Sequence, residues 1–322
     1  MTESSDRDAP PAGRRLCART VLMVRPASFY ANPETAPSNT FQHVVAASAA
    51  DTLALAQGEF DAAAALLAAA GVRVAVASAD LAADTPDALY PNNWFSTHDD
   101  GRVVLYPMAV PSRRRERRPE LLAAVAGSHG WRIEATLDLT GLEARGLVVE
   151  GTGSLVLDRP AGLAYAALSS RTHAEAVAIA ASELGYEPVP FAARDPAGRE
   201  VYHTNVLMAV GPGLAVFASG LVAADADRRR VLDALERSGQ RLLDITAEQV
   251  GEFAGNVLFL DGGRAGPLVA MSRRAWASLT RVQRALLEQH ARPVPCAVDA
   301  IEHIGGGGIR CMLAEIFLPG AD

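Results

Sequence analysis

One order of elements recurs along this 322-residue chain at a near-constant interval, and that recurrence limits what it can fold into. Residues 92–98 read as a strand, Asp99-Asp100-Gly101 as a turn, and residues 103–106 as the returning strand, with helical spacing at 115–126. A strand at 150–157, a Pro160-Ala161-Gly162 turn, a strand at 163–167 and a helix at 172–184 follow the same scheme. So do strands at 203–208 and 214–218 with a helix at 225–238, and strands at 255–260 and 268–271 with a helix at 273–290. The landmarks Asn93, Gly153, Asn205 and Asn256 are spaced by 60, 52 and 51 residues. A period of this size marks supersecondary units that stack or close in a ring. A fifth unit begins at 305–319, and the N-terminal strand at 21–24 and helix at 41–70 complete it; residues 72–76 alternate like a strand. The expectation is an α/β chain of five units, each presenting the start of its first strand to one centre.

No Pro/Gly/Ser-rich linker divides the chain, so residues 17–322 read as one domain, and the polar residues 1–16 as a disordered tail. The formal net charge is −7 with no sustained basic stripe, which argues against nucleic acid as the main partner. The one dense basic run, Arg113-Arg114-Arg115-Glu116-Arg117-Arg118, reads as a solvated helix start. The Ala-rich stretch 62–79 is interrupted by Gly71 and Arg73, so no membrane span is expected, and no signal-peptide core follows the N-terminus. A soluble, cytoplasmic protein is the expectation. The three cysteines, Cys17, Cys296 and Cys311, form no Cys-x-x-Cys motif, which argues against a disulfide framework or a zinc ribbon.

Chemistry concentrates at the strand starts. Four glycines, Gly305 to Gly308, lead through Ile309-Arg310 to Cys311. Consecutive glycines permit a tight turn and close approach of backbone to a ligand, and a cysteine beside a base becomes a nucleophile. The alternative is a buried cysteine behind a flexible loop. His203, in Tyr202-His203-Thr204-Asn205, holds the equivalent place in its own unit and is the candidate acid/base. Glu150 follows the apolar Leu147-Val148-Val149 and is placed to orient His203 or to accept N–H bonds from a substrate. Cys17 and Cys296 lie off the repeat starts and read as structural.

Taken together, Pro91-Asn92-Asn93-Trp94-Phe95, Glu150-Gly151-Thr152-Gly153-Ser154, Tyr202-His203-Thr204-Asn205, Gly255-Asn256 and Gly307-Gly308-Ile309-Arg310-Cys311 resemble the amidinotransferase/deiminase superfamily, from about Val21 to Pro319. The start Met23-Val24-Arg25-Pro26 and the end Cys311-Met312-Leu313-Ala314-Glu315-Ile316-Phe317 look most like its bacterial citrulline hydrolases. The resemblance implies a five-bladed α/β-propeller (pentein) of ββαβ repeats. It makes Cys311 the nucleophile, His203 the general acid/base and Glu150 the carboxylate on the guanidino or ureido nitrogens. It puts the substrate among Asn92, Asn93, His98, Arg171, Asn205, Asn256 and Gly308, with Arg171 and a second arginine of 113–118 on its carboxylate. No metal or organic cofactor is implied, the partner is an amino-acid substrate, and a homodimer fits the reading. Arginine deiminases carry aspartates where this chain has Asn205 and, by alignment, His98. A neutral ureido group needs a donor for its carbonyl oxygen, so these changes suit citrulline better than a guanidinium, which is held by carboxylates. The rivals are dimethylarginine hydrolysis, arginine deimination, and a non-catalytic binding propeller.

Overall fold

The computed structural model describes residues 13–80 and 82–321. Its strands form five three-stranded sheets. The sheet nearest the start of the chain joins both ends: β1 (Thr20–Arg25) lies between β2 (Arg73–Ser78) and β15 (Ala314–Ile316). The next four are β3 (Phe95–Thr97), β4 (Arg102–Leu105) and β5 (Ala135–Asp138); β6 (Val156–Asp158), β7 (Leu163–Leu168) and β8 (Glu187–Ala192); β9 (Met208–Gly211), β10 (Leu214–Phe217) and β11 (Arg241–Asp244); and β12 (Leu258–Asp261), β13 (Pro267–Ser272) and β14 (Arg292–Cys296).

Each sheet is built alike. The first two strands pair antiparallel, and the third pairs parallel to the second after a helix has carried the chain back. A tight turn suffices for the antiparallel step, but a parallel step needs a crossover, which is why every unit carries a helix. The middle strands are covered on both faces, so β7 reads as the continuous run Leu-Ala-Tyr-Ala-Ala-Leu rather than alternating. The first strands adjoin one another, β15 beside β3, β6 beside β9, and β9 beside β12, so the five sheets are the blades of the expected α/β-propeller. The ring closes where Thr20 pairs with Ile316.

The helix Ala49–Ala70 packs a stripe of Thr52, Ala56, Phe60, Ala63 and Leu67 against β1, β2 and β14. These residues recur at three- and four-residue steps, the period that keeps one helix face inward. The helix is long and apolar enough by composition to cross a membrane, yet this face is spent on the propeller.

Helix boundaries depart from expectation in three places. The first helix starts at Ala49, not residue 41, because Ser48 caps it by accepting from Asp51 N, and residues 36–48 instead fold over the centre of the ring. The helix expected at 115–126 splits into Pro111–Arg114 and Pro119–His129, since the residue before a proline is driven out of helical geometry. That expected at 273–290 splits into Arg273–Ser278 and Arg281–His290, where Thr280 and Gln283 form a capping box. Of the expected tail, residues 1–12 lie outside the described residues. Arg14 and Arg15 are not loose: Arg14 donates to Leu184 O at 2.8 Å and Arg15 pairs with Asp99 at 2.7 Å.

Candidate active site

The candidate residues sit on short helical turns just before the first strands, not on the strands themselves. Pro91–Asn93, Gly151–Ser154, Thr204–Val206 and Ile309–Met312 are such turns, and they meet at the ring's centre. Glu150, His203 and Gly308 each immediately precede one, so their side chains and backbone are aimed before the turn begins.

His203 and Glu150 form a buried pair, with His203 Nε2 2.8 Å from Glu150 Oε2. The other carboxyl oxygen accepts from Ala109 N at 2.9 Å, and Arg171 Nη1 lies 3.8 Å from Oε2. Burial alone would raise the Glu150 carboxyl. The hydrogen bond from His203 and the charges of Arg171 and Arg113 outweigh it and hold the group below the usual carboxylate range, hence ionised. Burial pushes His203 below the usual imidazole range against the pull of Glu150, with Arg171 and Arg113 adding to the fall. With Nε2–H committed to a carboxylate, Nδ1 carries the lone pair. It lies on the side of Asn93: a side-chain carbon at Gly153 would meet both Asn93 Nδ2 and His203 Nδ1. Gly153 is therefore required by this close approach.

Cys311 is buried, and burial raises its thiol above the ordinary value. Two amides oppose that rise: Asn256 Nδ2 lies 3.3 Å and Asn205 Nδ2 3.6 Å from Sγ. Asn256 Nδ2 also donates to Asn205 O at 3.0 Å. The glycine loop owes its composition to the protein around it more than to ligand approach. A side-chain carbon at Gly305 or Gly307 would overlap the Tyr90 ring, and Gly306 takes the left-handed conformation at φ +67°.

Cys311 and His203 face one cavity with Asn39, Asp87, Tyr90, Asn93, Arg113, Arg171, Tyr202 and Gly305 to Gly307. Its open volume is about 20 Å³, little more than one water occupies, and of the covering residues 36–48 it is Asn39 that lines it. Arg171 lies against that cover, donating to Ser38 Oγ at 2.6 and 2.9 Å and to Thr35 O at 3.0 Å. Arg113 is the second arginine in the cavity. It is buried and not at a solvated helix start: it is bidentate to Glu116 at 3.0 and 2.9 Å and donates to Asn93 Oδ1 at 2.7 Å.

Of the seven expected substrate residues, Asn93 and Arg171 line the cavity; Asn205 and Asn256 contact Cys311 Sγ without lining it, Gly308 is outside the lining, and Asn92 and His98 lie elsewhere. His98 follows β3 at the end remote from Asn93, bonded to Ser96 Oγ at 3.0 Å in a separate pocket with Arg14, Arg102 and Arg159. Burial and those three cations hold it well below the usual imidazole range. Asn92 does not line the cavity; its neighbour Asn93 does, because the helical turn sends Asn92 Nδ2 toward Thr152 Oγ1 at 3.4 Å. Sequence reasoning missed Asp87, which lines the cavity with Oδ1 unpartnered and Oδ2 accepting from Asn32 at 2.8 Å. It lies outside the repeat starts, so periodicity could not find it. Tyr202 and Tyr90 were also missed as lining residues, although Tyr202 adjoins His203 in the chain. Among the described residues, no group of three or more His, Cys, Asp or Glu is arranged to hold a metal ion.

A family model described as "N,N dimethylarginine dimethylhydrolase, eukaryotic" matches residues 25–318. No curated protein matches the chain. Among solved structures, the substrate-bound N-terminal domain of ArgZ, an arginine dihydrolase from the ornithine–ammonia cycle in Cyanobacteria, is similar over 91% of this chain and 96% of its own, at TM-score 0.68 and 15% identity. Unliganded AgrE is similar over 91% of this chain and 38% of its own, at TM-score 0.67 and 17% identity. A dimethylarginine dimethylaminohydrolase, solved as the adduct with 4-chloro-2-hydroxymethylpyridine, is similar over 93% of this chain and all of its own, at TM-score 0.63 and 14% identity. Likeness at such identities bears on the fold. The family match runs from the end of β1 to past β15, and by it the chain belongs to the N,N-dimethylarginine dimethylhydrolase family, pentein hydrolases that act on C–N bonds of guanidino groups.

Proposed function

We propose that this protein hydrolyses the ureido group of L-citrulline to ornithine, ammonia and carbon dioxide. The observation that carries the reading is the pair of amides at the nucleophile, Asn205 and Asn256, both with Nδ2 on Cys311 Sγ. A guanidinium presents only donors and gains nothing from these amide hydrogens; the acceptors it would need there are the unpartnered Asn205 Oδ1 and Asn256 Oδ1. A ureido group brings a carbonyl oxygen, which the unpartnered Asn93 Nδ2 in the cavity wall can serve as negative charge develops on it.

Cys311 starts as a thiol and His203 as a neutral imidazole. Transfer of the thiol proton to His203 makes the thiolate, which attacks the ureido carbon. The S–C bond forms, a C–N bond breaks, and His203 returns the proton to the departing nitrogen. If ornithine leaves, a carbamoyl thioester remains. Water then gives His203 a proton and attacks the thioester; the S–C bond breaks, and carbamate decomposes to ammonia and carbon dioxide. Glu150 holds His203 with Nε2–H toward the carboxylate and stabilises the imidazolium. At the amino-acid end, a substrate carboxylate replaces Ser38 Oγ and Thr35 O on the Arg171 fork, and the unpartnered Asp87 Oδ1 suits an α-ammonium. The same reading puts the enzyme in the cytoplasm, in keeping with three free thiols.

A second reading is favoured by Asp87 and by the family itself: hydrolysis of dimethylarginine or arginine, releasing citrulline. The support that His98 lent to a neutral substrate is withdrawn, because that residue is remote from the cavity. Citrulline, arginine and dimethylarginine offered separately to the enzyme, with Cys311→Ala as control, decide between them. Ornithine from citrulline supports the first reading. Citrulline formed from either guanidino substrate overturns it.

A further inference from the structure

Glu302 lies on the single helical turn Ile301–Gly305 that feeds the glycine loop, and it is fully buried. Neither carboxyl oxygen has a hydrogen-bond partner of ordinary geometry; the Ser272 hydroxyl is close enough to favour the charged form, and the nearest cation, Arg274 Nη1, is 3.6 Å from Oε2. Across Gly308 stands Asn256. Its Nδ2 is committed to Asn205 O and Cys311 Sγ, and its Oδ1 has no donor. A side-chain carbon at Gly308 would lie 2.7 Å from Asn256 Oδ1 and 3.1 Å from Glu302 Oε1, so the two oxygens border one point beside the nucleophile. Both are acceptors without a donor, and a proton on the carboxyl would supply one.

We propose that Glu302 is a positioning residue: as a protonated acid it donates to Asn256 Oδ1 and so holds Asn256 Nδ2 on Cys311 Sγ. Losing that proton frees the amide to turn its N–H toward the carboxylate and away from sulfur. The surroundings agree. Burial pushes the Glu302 carboxyl up to about 8, opposed by Ser272 and Arg274 and reinforced by Asp299 and by Glu59 of the helix Ala49–Ala70. A cavity of about 330 Å³, walled by Phe41, Tyr202 and Phe253, reaches Glu302 and gives its proton a route to solvent. The other charged or titratable groups on that cavity are the stacked His43 and His303 with Asp195, Arg199 and Glu200.

The inference rests on Cys311 being the nucleophile and not on citrulline being the substrate. The test therefore omits substrate. Iodoacetamide alkylation of Cys311 is followed by peptide mass spectrometry from about pH 6 to 10 in wild type, Glu302→Gln and Glu302→Ala. Glutamine keeps a donor at every pH, so its rate should climb as a simple thiol titration. Wild type should follow that curve at low pH and fall below it once Glu302 ionises. Alanine lacks the donor and should react about tenfold more slowly below the thiol pKa. Superimposed wild-type and Gln curves overturn the proposal, as does an Ala variant as fast as Gln. If Ala fails to fold, shown by its thermal melt, the wild-type and Gln curves decide alone. Failure to turn over citrulline with these curves as expected counts against the substrate, not against Glu302.

Discussion

In the proposed mechanism Glu150 acts through His203, so its removal tests the pair rather than the binding of substrate. Glu150→Gln keeps the shape but loses the charge that supports an imidazolium, and its amide can donate to the wrong ring nitrogen. The expected outcome in steady-state kinetics is a fall in kcat of roughly 10²–10⁴-fold. A fall confined to kcat/KM through a higher KM would mean that Glu150 binds substrate instead. Gly153 is the steric counterpart. In Gly153→Ala the added methyl meets Asn93 Nδ2 and the His203 ring, displacing both. The variant should lose roughly 10²-fold in kcat, the cost of misplacing a catalytic group by about 1 Å. Unchanged turnover would show that Asn93 and His203 can yield without consequence.

At the scale of elements, caps and prolines decided what periodicity blurred. The helical pattern over 273–290 is one run by its hydrophobic spacing, but Thr280 accepts from Gln283 N at 3.2 Å while the Gln283 side chain accepts from Thr280 N at 2.9 Å. That box starts a second helix, and Ser272, accepting from Ala275 N at 3.0 Å, starts the first. Thr280→Ala should cost about 1 kcal/mol in chemical denaturation, with kcat unchanged because the cap is outside the cavity. A loss under a few tenths of a kcal/mol would mean that the Gln283 bonds to Gln249 Oε1 and Asp244 O hold the helix start unaided.

For the whole molecule, Glu302 beside the glycine loop ties stability to pH. Its carboxyl titrates near 4.5 in an ordinary setting and near 8 when folded. The folded state therefore binds the proton more tightly. The stability this contributes is fully present below about pH 4.5 and is lost as pH rises through about 8. Glu302→Gln removes that titration, so its melting temperature should gain on wild type between about pH 5 and 9. A constant offset across that range would mean Glu302 is equally ionised in both states. Ring closure sets the other global expectation. Phe60 is fully buried between the helix Ala49–Ala70 and the blade shared by both chain ends. Phe60→Ala should cost about 3–5 kcal/mol, read as a lower denaturant midpoint.

The sequence by itself determined the five-fold repeat, the strand–turn–strand–helix order within each unit, and the convergence of Cys311, His203 and Glu150. Those follow from local chemistry: alternating and helical apolar spacing, Asp-Gly and Gly-Pro-Gly turns, and polar residues recurring at one phase of the repeat. Tertiary structure alone decided which side of each short turn faces the cavity. A helical turn rotates adjacent residues by about 100°, so Asn93 enters the cavity while Asn92 turns to Thr152. It likewise decided that His98 ends up beyond β3 and that Asp87 and Arg113 enter the centre, because neither residue is in phase with the repeat. Long-range packing also set the charge states of Glu302 and Cys311, since burial that no local pattern records dominates both.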